Sequence, residues 1–118
     1  MNKPENNIEF IIPILPPTDN HLYGQTGHRR FMYKQGRDWK EEVSLLARAQ
    51  NPKLIEGDVR AEITFYLKRE RDIQGSLKVL FDALEGIIYN NDKQIVDFRV
   101  FKKFDKENPR VELIIKSL

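Results

Sequence analysis

Two polar segments of the sequence carry residue types that could hold a divalent metal ion. Residues 71–78 contain Asp72 and Lys78, and residues 90–93 contain Asp92. Carboxylate oxygens are the hard ligands that Mg²⁺ prefers, and substrate phosphate often completes its octahedral shell. Such ions activate water in phosphodiester hydrolysis, and a nearby lysine can neutralise charge on the transferring phosphoryl group. If the two segments converge, the sequence predicts a metal-dependent hydrolytic site.

The same three residues also have ordinary structural interpretations. Asp72 can serve only as a helix N-cap, Asp92 only as a turn residue and Lys78 only as an exposed helix lysine. The residues alone leave both interpretations open. Other chemistries are excluded, because the chain has no cysteine and no Ser-His-Asp order, phosphate-binding glycine loop or helix-borne histidine pair.

The pattern of apolar residues predicts the elements that must position these side chains. Apolar residues at helical spacing predict two helices, over residues 36–50 and 75–85. Apolar runs and alternation predict strands over residues 8–14, 59–68, 96–100 and 111–115, with a hairpin over residues 21–33. This order predicts an α+β fold in a single domain, residues 1–118, with a mixed β-sheet, an N-terminal hairpin and two helices packed on the sheet.

Two expectations about neighbouring strands follow from this order. The last strand is expected to pair as a hairpin with the strand before it. Asp72 follows one predicted strand and Asp92 precedes another, so the two carboxylates can converge at one edge of the sheet if these strands are neighbours.

Charge and hydropathy limit the partners. The chain has 20 Lys+Arg and 18 Asp+Glu, a net charge of +2. It therefore lacks the large overall basic excess that is typical of nucleic-acid-binding proteins. The basic residues are nevertheless clustered, which fits either solvated faces or contacts to a polyanion. No apolar run approaches the ~20 residues of a membrane span, so no membrane partner is expected. The first nine residues lack the order of a signal peptide, and we expect a cytoplasmic protein.

Three ordered motifs resemble those of the RusA family of Holliday junction resolvases. The family shows Asp-x-Asp-Asn-x-x-Lys, then a helix ending Asp-Ala-Leu, then Asp-Asp-x-Gln-Val-x-Asp. The matching segments read DIQGSLK at 72–78, FDAL at 81–84 and NDKQIVD at 91–97. The segment PPTDN at 16–20 is also similar to the family's Pro-Pro-Ser/Thr-x-Asn.

The resemblance implies a homodimeric endonuclease, of bacterial or prophage origin, that nicks four-way DNA junctions symmetrically in recombination and repair. Its cofactor would be Mg²⁺, with Mn²⁺ as a substitute. Asp72 and Asp92 match the family's metal-binding and catalytic aspartates, and Lys78 matches the catalytic lysine. A two-fold dimer suits a substrate with two symmetry-related strands to cut. The basic residues that we expect to contact DNA phosphates are Arg29, Arg30, Lys34, Lys68, Arg69 and Arg71.

The chain departs from the family pattern at the residues that matter most for a metal. Gln74 stands where the family has its second aspartate, Gly75 replaces the asparagine, and Asn91 replaces the first acid of the second pair. A glutamine offers a neutral carbonyl oxygen, so Gln74 is at best a weak metal ligand. The resemblance therefore implies a weaker metal site than the family's.

Glu70 is the candidate substitute for the missing carboxylate, because on a strand that ends near Arg71 it would share a face with Asp72. Asp82 is less suitable, since it lies more than two turns into the predicted helix. Three functions stay open: a junction-resolving endonuclease, a branched-DNA-binding protein that has lost cleavage, and a small α+β dimer that binds no nucleic acid. The first is the leading hypothesis.

Overall fold

The computed structural model describes residues 7–118, so the first six residues of the predicted domain lie outside the described part. The strands are β1 (Asn7–Ile12), β2 (Tyr23–Thr26), β3 (Arg29–Met32), β4 (Val59–Leu67), β5 (Ile95–Phe104) and β6 (Arg110–Ser117). The helices are α1 (Asp19–Leu22), α2 (Lys34–Ala49) and α3 (Gln74–Leu84), and a 3₁₀ turn (Asp92–Gln94) precedes β5. The predicted single α+β domain with a mixed sheet is confirmed. α1 was not predicted, because four residues are too few for a helical period.

The main sheet has the strand order β1-β6-β4-β5. β4 runs parallel to β5 and antiparallel to β6, and β6 runs antiparallel to β1. The predicted hairpin between the last two strands is therefore wrong. β6 takes a central position and buries Val111, Leu113 and Ile115 completely, whereas most side chains of β5 are exposed and suit an edge. The connection from β5 to β6 passes the end of β4, where the Asp105 N–H donates to the Leu67 carbonyl at 2.9 Å.

One apolar core joins the sheet to the helices. The alternation predicted for β4 is confirmed, since its residues are in turn fully buried and half-buried. The buried side of β4 belongs to one cluster with Val43 and Ala47 of α2 and with Leu80 and Leu84 of α3. β2 and β3 form the predicted hairpin as a separate two-stranded sheet. Within residues 7–118, no helix has the length and apolar character needed to cross a membrane.

Candidate metal and nucleic-acid site

Helix α3 separates the two aspartates that the sequence singled out. The chain leaves β4 at Leu67, passes Asp72, returns along α3 and reaches Asp92 just before β5. Because β5 is parallel to β4, its first residue Ile95 pairs with Val59 at the opposite end of the sheet from Leu67. The 11 residues of α3 span about 16 Å. Oxygen ligands of one Mg²⁺ lie within about 4 Å of one another. The expected convergence of Asp72 and Asp92 therefore does not occur within one chain.

A shallow cleft lies between the β2–β3 hairpin and the N-terminal end of α3. It has a volume of about 410 Å³ and is lined by Asp19, Tyr23, Gly24, Gln25, Arg30 and Gly75. We call it the hairpin cleft. It brings a carboxylate of α1, a guanidinium of β3 and the backbone of the first turn of α3 to one place. Asp72 precedes this turn and its side chain is exposed.

Asp19 is a functional candidate that sequence reasoning missed. Its Oδ2 accepts a hydrogen bond from the Gly75 N–H at 3.3 Å. Its Oδ1 is inaccessible to solvent and has no hydrogen-bond partner among the described residues. In the sequence, Asp19 occupies the variable position of the Pro-Pro-Ser/Thr-x-Asn segment, so the motif gave no signal for it.

Arg71 ties the loop after β4 to the segment that leads into α1. Its Nη2 donates to the Pro16 carbonyl at 2.7 Å and to the Pro17 carbonyl at 3.4 Å. Burial lowers the pKa of the Arg71 guanidinium, and the negative charge of Asp19 partly opposes this shift. Arg71, expected as a phosphate contact, is thus half-buried and bound to the segment that precedes Asp19.

An acidic cluster lies at the other end of α3 and consists of Asp82, Glu85 and Asp92. Their carboxylates are half-buried, and one oxygen of each lies within 4.8 Å of the others. The Asp92 N–H donates to Glu85 Oε1 at 3.0 Å. Tyr89 is fully buried, and burial raises the pKa of its hydroxyl, an effect increased by the three nearby carboxylates. Asp82, expected to be the less suitable substitute for the missing carboxylate, thus lies near Asp92, as Glu85 does.

Asn91 has a structural role in the turn before β5. Its side chain accepts a hydrogen bond from the Lys93 N–H at 2.8 Å. Gln94 completes a capping box by accepting from the Asn91 N–H at 3.0 Å. The same Gln94 side chain donates to the carbonyls of Ile55 and Gly57, each at 2.8 Å. These bonds fix the turn that carries Asp92.

Lys78 and Glu70 lie in different surroundings. Lys78 is exposed on α3, four residues from both Gln74 and Asp82, so these three residues share one helix face between the two ends. β4 ends at Leu67, so strand alternation does not reach Glu70 and does not place it beside Asp72. Glu70 instead accepts a hydrogen bond from Lys102 Nζ of β5 at 2.5 Å.

The predicted phosphate contacts on the hairpin are exposed. Arg29 and Arg30 lie on β3, and the Arg30 guanidinium sits 4.1 Å from the centroid of the Tyr23 ring. Lys34, at the start of α2, pairs with Asp38 at 2.8 Å. In the loop after β4, Lys68 and Arg69 are also exposed.

Comparisons with known proteins agree with the resemblance seen in the motifs. A family model described as endodeoxyribonuclease RusA matches residues 13–116. The chain belongs to the RusA family.

Three curated relatives illustrate the similarity. Crossover junction endodeoxyribonuclease RusA of Escherichia coli strain K12 is 28% identical over 109 residues, covering 87% of this chain and 89% of the relative. Crossover junction endodeoxyribonuclease rusA of Enterobacteria phage 82 is 26% identical over 107 residues, with coverage of 87% and 89%. The protein YqaN of Bacillus subtilis strain 168, which carries no functional description, is 30% identical over 104 residues, covering 68% of this chain and 72% of YqaN.

The residues at which this chain departs from the RusA pattern lie at the two ends of α3. Gln74 is the exposed first residue of α3, and Gly75 follows it at the wall of the hairpin cleft. Asn91 caps the turn at the other end of α3. The substitutions at 74 and 75 therefore remove a carboxylate and a polar side chain from the same helix turn that Asp19 contacts.

Proposed function

We propose that this protein is a metal-dependent endonuclease that resolves four-way DNA junctions, with Asp72, Lys78 and Asp92 as its catalytic residues. The observation that carries the proposal is membership of the RusA family over residues 13–116, which include both ends of α3. The relative from Escherichia coli is named a crossover junction endodeoxyribonuclease. The hairpin cleft supports a nucleic-acid substrate, because its lining includes the exposed Arg30, whose guanidinium can contact a phosphate.

The proposed cofactor is Mg²⁺, for which Mn²⁺ would substitute. The acids at the two ends of α3 are of the kind that a hard cation prefers: Asp72 precedes the N-terminal end of the helix, and the acidic cluster lies at its other end. A bound ion of this kind supplies activation of water and charge stabilisation in phosphodiester hydrolysis. The chain's own contribution is to hold the carboxylates on the two ends of a rigid helix and to place the Lys78 charge between them. Gln74 adds a neutral oxygen, so the affinity for the ion depends on the remaining acids.

The proposed assembly is a homodimer. A two-fold axis near the middle of α3 would place the α3 helices of the two protomers side by side and antiparallel. This arrangement would bring Asp72 of one protomer close to the partner's Asp92. A homodimer would also give two equivalent sites for two equivalent strands. β5 supports this assembly, because an edge strand with exposed apolar side chains favours association. Four of its side chains are more than half exposed: Val96, Phe98, Phe101 and Phe104.

The second candidate function is binding of branched DNA without cleavage. The observation that favours it is the exposed Gln74, which removes a charge from the metal site and leaves the basic hairpin intact. Both functions require the same DNA contacts, so only catalysis separates them.

The deciding experiment incubates the protein with a labelled four-way junction and with linear duplex of the same sequence, in Mg²⁺ or Mn²⁺. We expect paired nicks in the junction, little cutting of the duplex, and a loss of about 100-fold or more in Asp72→Asn and Asp92→Asn. Glu41→Gln is the matched control, because Glu41 is an exposed acid on α2. A junction that is bound but uncut would support the second function. No binding of branched DNA at low salt would overturn both.

A further inference from the structure

We propose that Phe31 and Tyr33 form a stacking site for one unstacked DNA base, by which the protein distinguishes branched DNA from linear duplex. We call these two side chains the aromatic corner. The inference rests on the proposed function and adds a specificity determinant to it, because contacts to phosphates alone are the same in both kinds of DNA.

The aromatic corner lies on the face of the hairpin that is turned away from the core. Side chains alternate along β3, and the extended backbone at Tyr33 continues the alternation. Met32 and its cross-strand partner Tyr23 pack against the core. Phe31 and Tyr33 therefore point the other way, and they are 40% and 42% exposed. Two aromatic rings are thus open to a partner next to the hairpin cleft.

The geometry of the two rings suits a single flat ligand. Their centroids lie 5.1 Å apart and their planes meet at 82°, so a base that stacks on one ring meets the edge of the other. The Tyr33 N–H donates to the Leu22 carbonyl at 2.9 Å, which fixes the backbone beneath the corner. A site that is already formed loses less conformational entropy when it binds.

Gly24 makes room for the aromatic corner. It pairs with Phe31 across the hairpin, and a Cβ atom added to it would lie 2.5 Å from Phe31 Cζ and 2.8 Å from the Tyr33 hydroxyl oxygen. Gly24 does not have a positive φ, so the fold uses its small size and not its conformational freedom. Any side chain at position 24 would displace both rings.

The charge around the aromatic corner favours nucleic acid as the partner. Residues 23–33 include Arg29 and Arg30 and contain no aspartate or glutamate. By strand alternation, Arg29 lies on the same face as Phe31, and no ion pair joins it to another described residue. Aromatic rings beside unpaired cations are typical of sites for unpaired nucleotides, where the rings stack on bases and the cations contact phosphates.

The preference for branched DNA follows from the state of the bases. In a linear duplex every base is stacked between its neighbours, and taking one out of the stack costs free energy. Stacking is interrupted at the branch point of a four-way junction, so a base there reaches an aromatic ring at a lower cost. Because every base has a π face, the corner should select branched DNA without selecting a sequence.

A purely structural role for the two rings is the competing explanation. The rings cover the Gly24 backbone, and a two-stranded sheet such as β2–β3 needs side-chain packing to be stable. A leucine at position 31 keeps apolar cover over Gly24 but has no π face. Phe31→Leu therefore separates hairpin packing from base stacking.

The first experiment measures DNA affinity by fluorescence anisotropy over a salt series, in EDTA so that no strand is cut. The probes are a labelled four-way junction and a linear duplex of the same sequence. We expect Phe31→Leu to weaken junction binding about tenfold and to leave duplex binding unchanged. The slope of log affinity against log salt concentration should also stay unchanged, because no phosphate contact is lost.

Three further variants test the geometry. Phe31→Tyr keeps the ring and should bind the junction as the wild type does. Gly24→Ala keeps both rings but displaces them, so its junction affinity should fall as in Phe31→Leu. Leu45→Ala is the matched control, because Leu45 is an exposed apolar residue on α2, and it should change neither affinity.

The second experiment locates the contact directly. A junction that carries 5-iodouracil at the branch point is cross-linked to the protein by ultraviolet light, and the attached peptide is identified by mass spectrometry. We expect the cross-link at Phe31 or Tyr33, and no cross-link at these residues from a linear duplex with the same substitution.

The outcomes separate this inference from the proposed function. If Phe31→Leu leaves junction affinity unchanged, or if the cross-link falls elsewhere, the aromatic corner is overturned while junction binding stands. Equal losses for junction and duplex together with a lower salt slope would show that the rings only support the hairpin, which also overturns the inference. If the wild type binds no branched DNA, the inference fails together with the function on which it rests.

Discussion

At the scale of single residues, Gln74 lowers the negative charge of the proposed metal site relative to the family pattern. It is the first residue of α3, where a carboxylate would also interact favourably with the helix dipole. We expect Gln74→Asp to raise Mn²⁺ affinity about tenfold and to increase junction nicking, because it adds a charged ligand beside Asp72. In the absence of metal, the added repulsion from Asp19 should lower the melting temperature. Calorimetry and thermal denaturation with and without Mn²⁺ measure these effects, and an affinity equal to that of the wild type would contradict the expectation.

The sequence singles out some residues of the proposed site and not others, for physical reasons. The family motifs lie within one stretch of chain and contain Asp72, Lys78 and Asp92. The spacing of residue types along the sequence is therefore enough to reveal these three residues. Asp19 meets Gly75 across 56 positions of sequence, and only the tertiary fold brings them together. Asp82 lies more than two turns along the helix from Asp72, but its carboxylate is close to that of Asp92. Its proximity to Asp92 depends on how the chain folds back after α3.

At the scale of elements, the two long helices and the strands were predictable, whereas the neighbours of the strands in the sheet were not. The alternation of β4 and the helical stripes of α2 and α3 follow from periodicity, which is local. The insertion of β6 between β1 and β4 follows from competition among strands for the central position, which is not local. The parallel pairing of β4 with β5 has the same origin. It is this pairing that sends Asp72 and Asp92 to opposite ends of α3.

The β2–β3 hairpin carries the exposed arginines that we propose as DNA contacts. Arg29 and Arg30 are exposed on β3, and Arg30 also lines the hairpin cleft. We expect the double change Arg29→Ala and Arg30→Ala to weaken junction binding and to lower the slope of log affinity against log salt concentration by about 2, since each lost phosphate contact contributes about 0.9. Fluorescence anisotropy over a salt series measures the slope. The matched control removes Arg48 and Lys53, two exposed cations at and beyond the C-terminal end of α2. An equal fall in slope for both pairs would show that the hairpin has no special role.

At the scale of the whole molecule, the position of α3 links the chemistry to the assembly. One chain presents its two groups of carboxylates about 16 Å apart along the helix, too far for them to share an ion. In a homodimer whose two α3 helices lie antiparallel about a two-fold axis, the N-terminal end of one helix would lie close to the acidic cluster of the other. The exposed apolar side chains of β5 provide surface for such an association. In this arrangement a single protomer lacks a complete site, because its Asp72 and Asp92 lie at opposite ends of α3.

Subunit mixing tests whether the site is shared between protomers. Asp72→Asn and Asp92→Asn each damage both sites of a homodimer, so each variant alone should be inactive. In a mixed dimer with shared sites, one site carries both changes and the other carries none, because an intact Asp72 then faces an intact Asp92. Random exchange makes about half of the dimers mixed, and each mixed dimer has one intact site. About a quarter of all sites should therefore be intact, each nicking one strand of a junction. Variants that received the same unfolding and refolding treatment alone serve as controls. If each site is instead built within one chain, every site in the mixed dimer keeps one damaged aspartate, and the mixture should remain as inactive as its components.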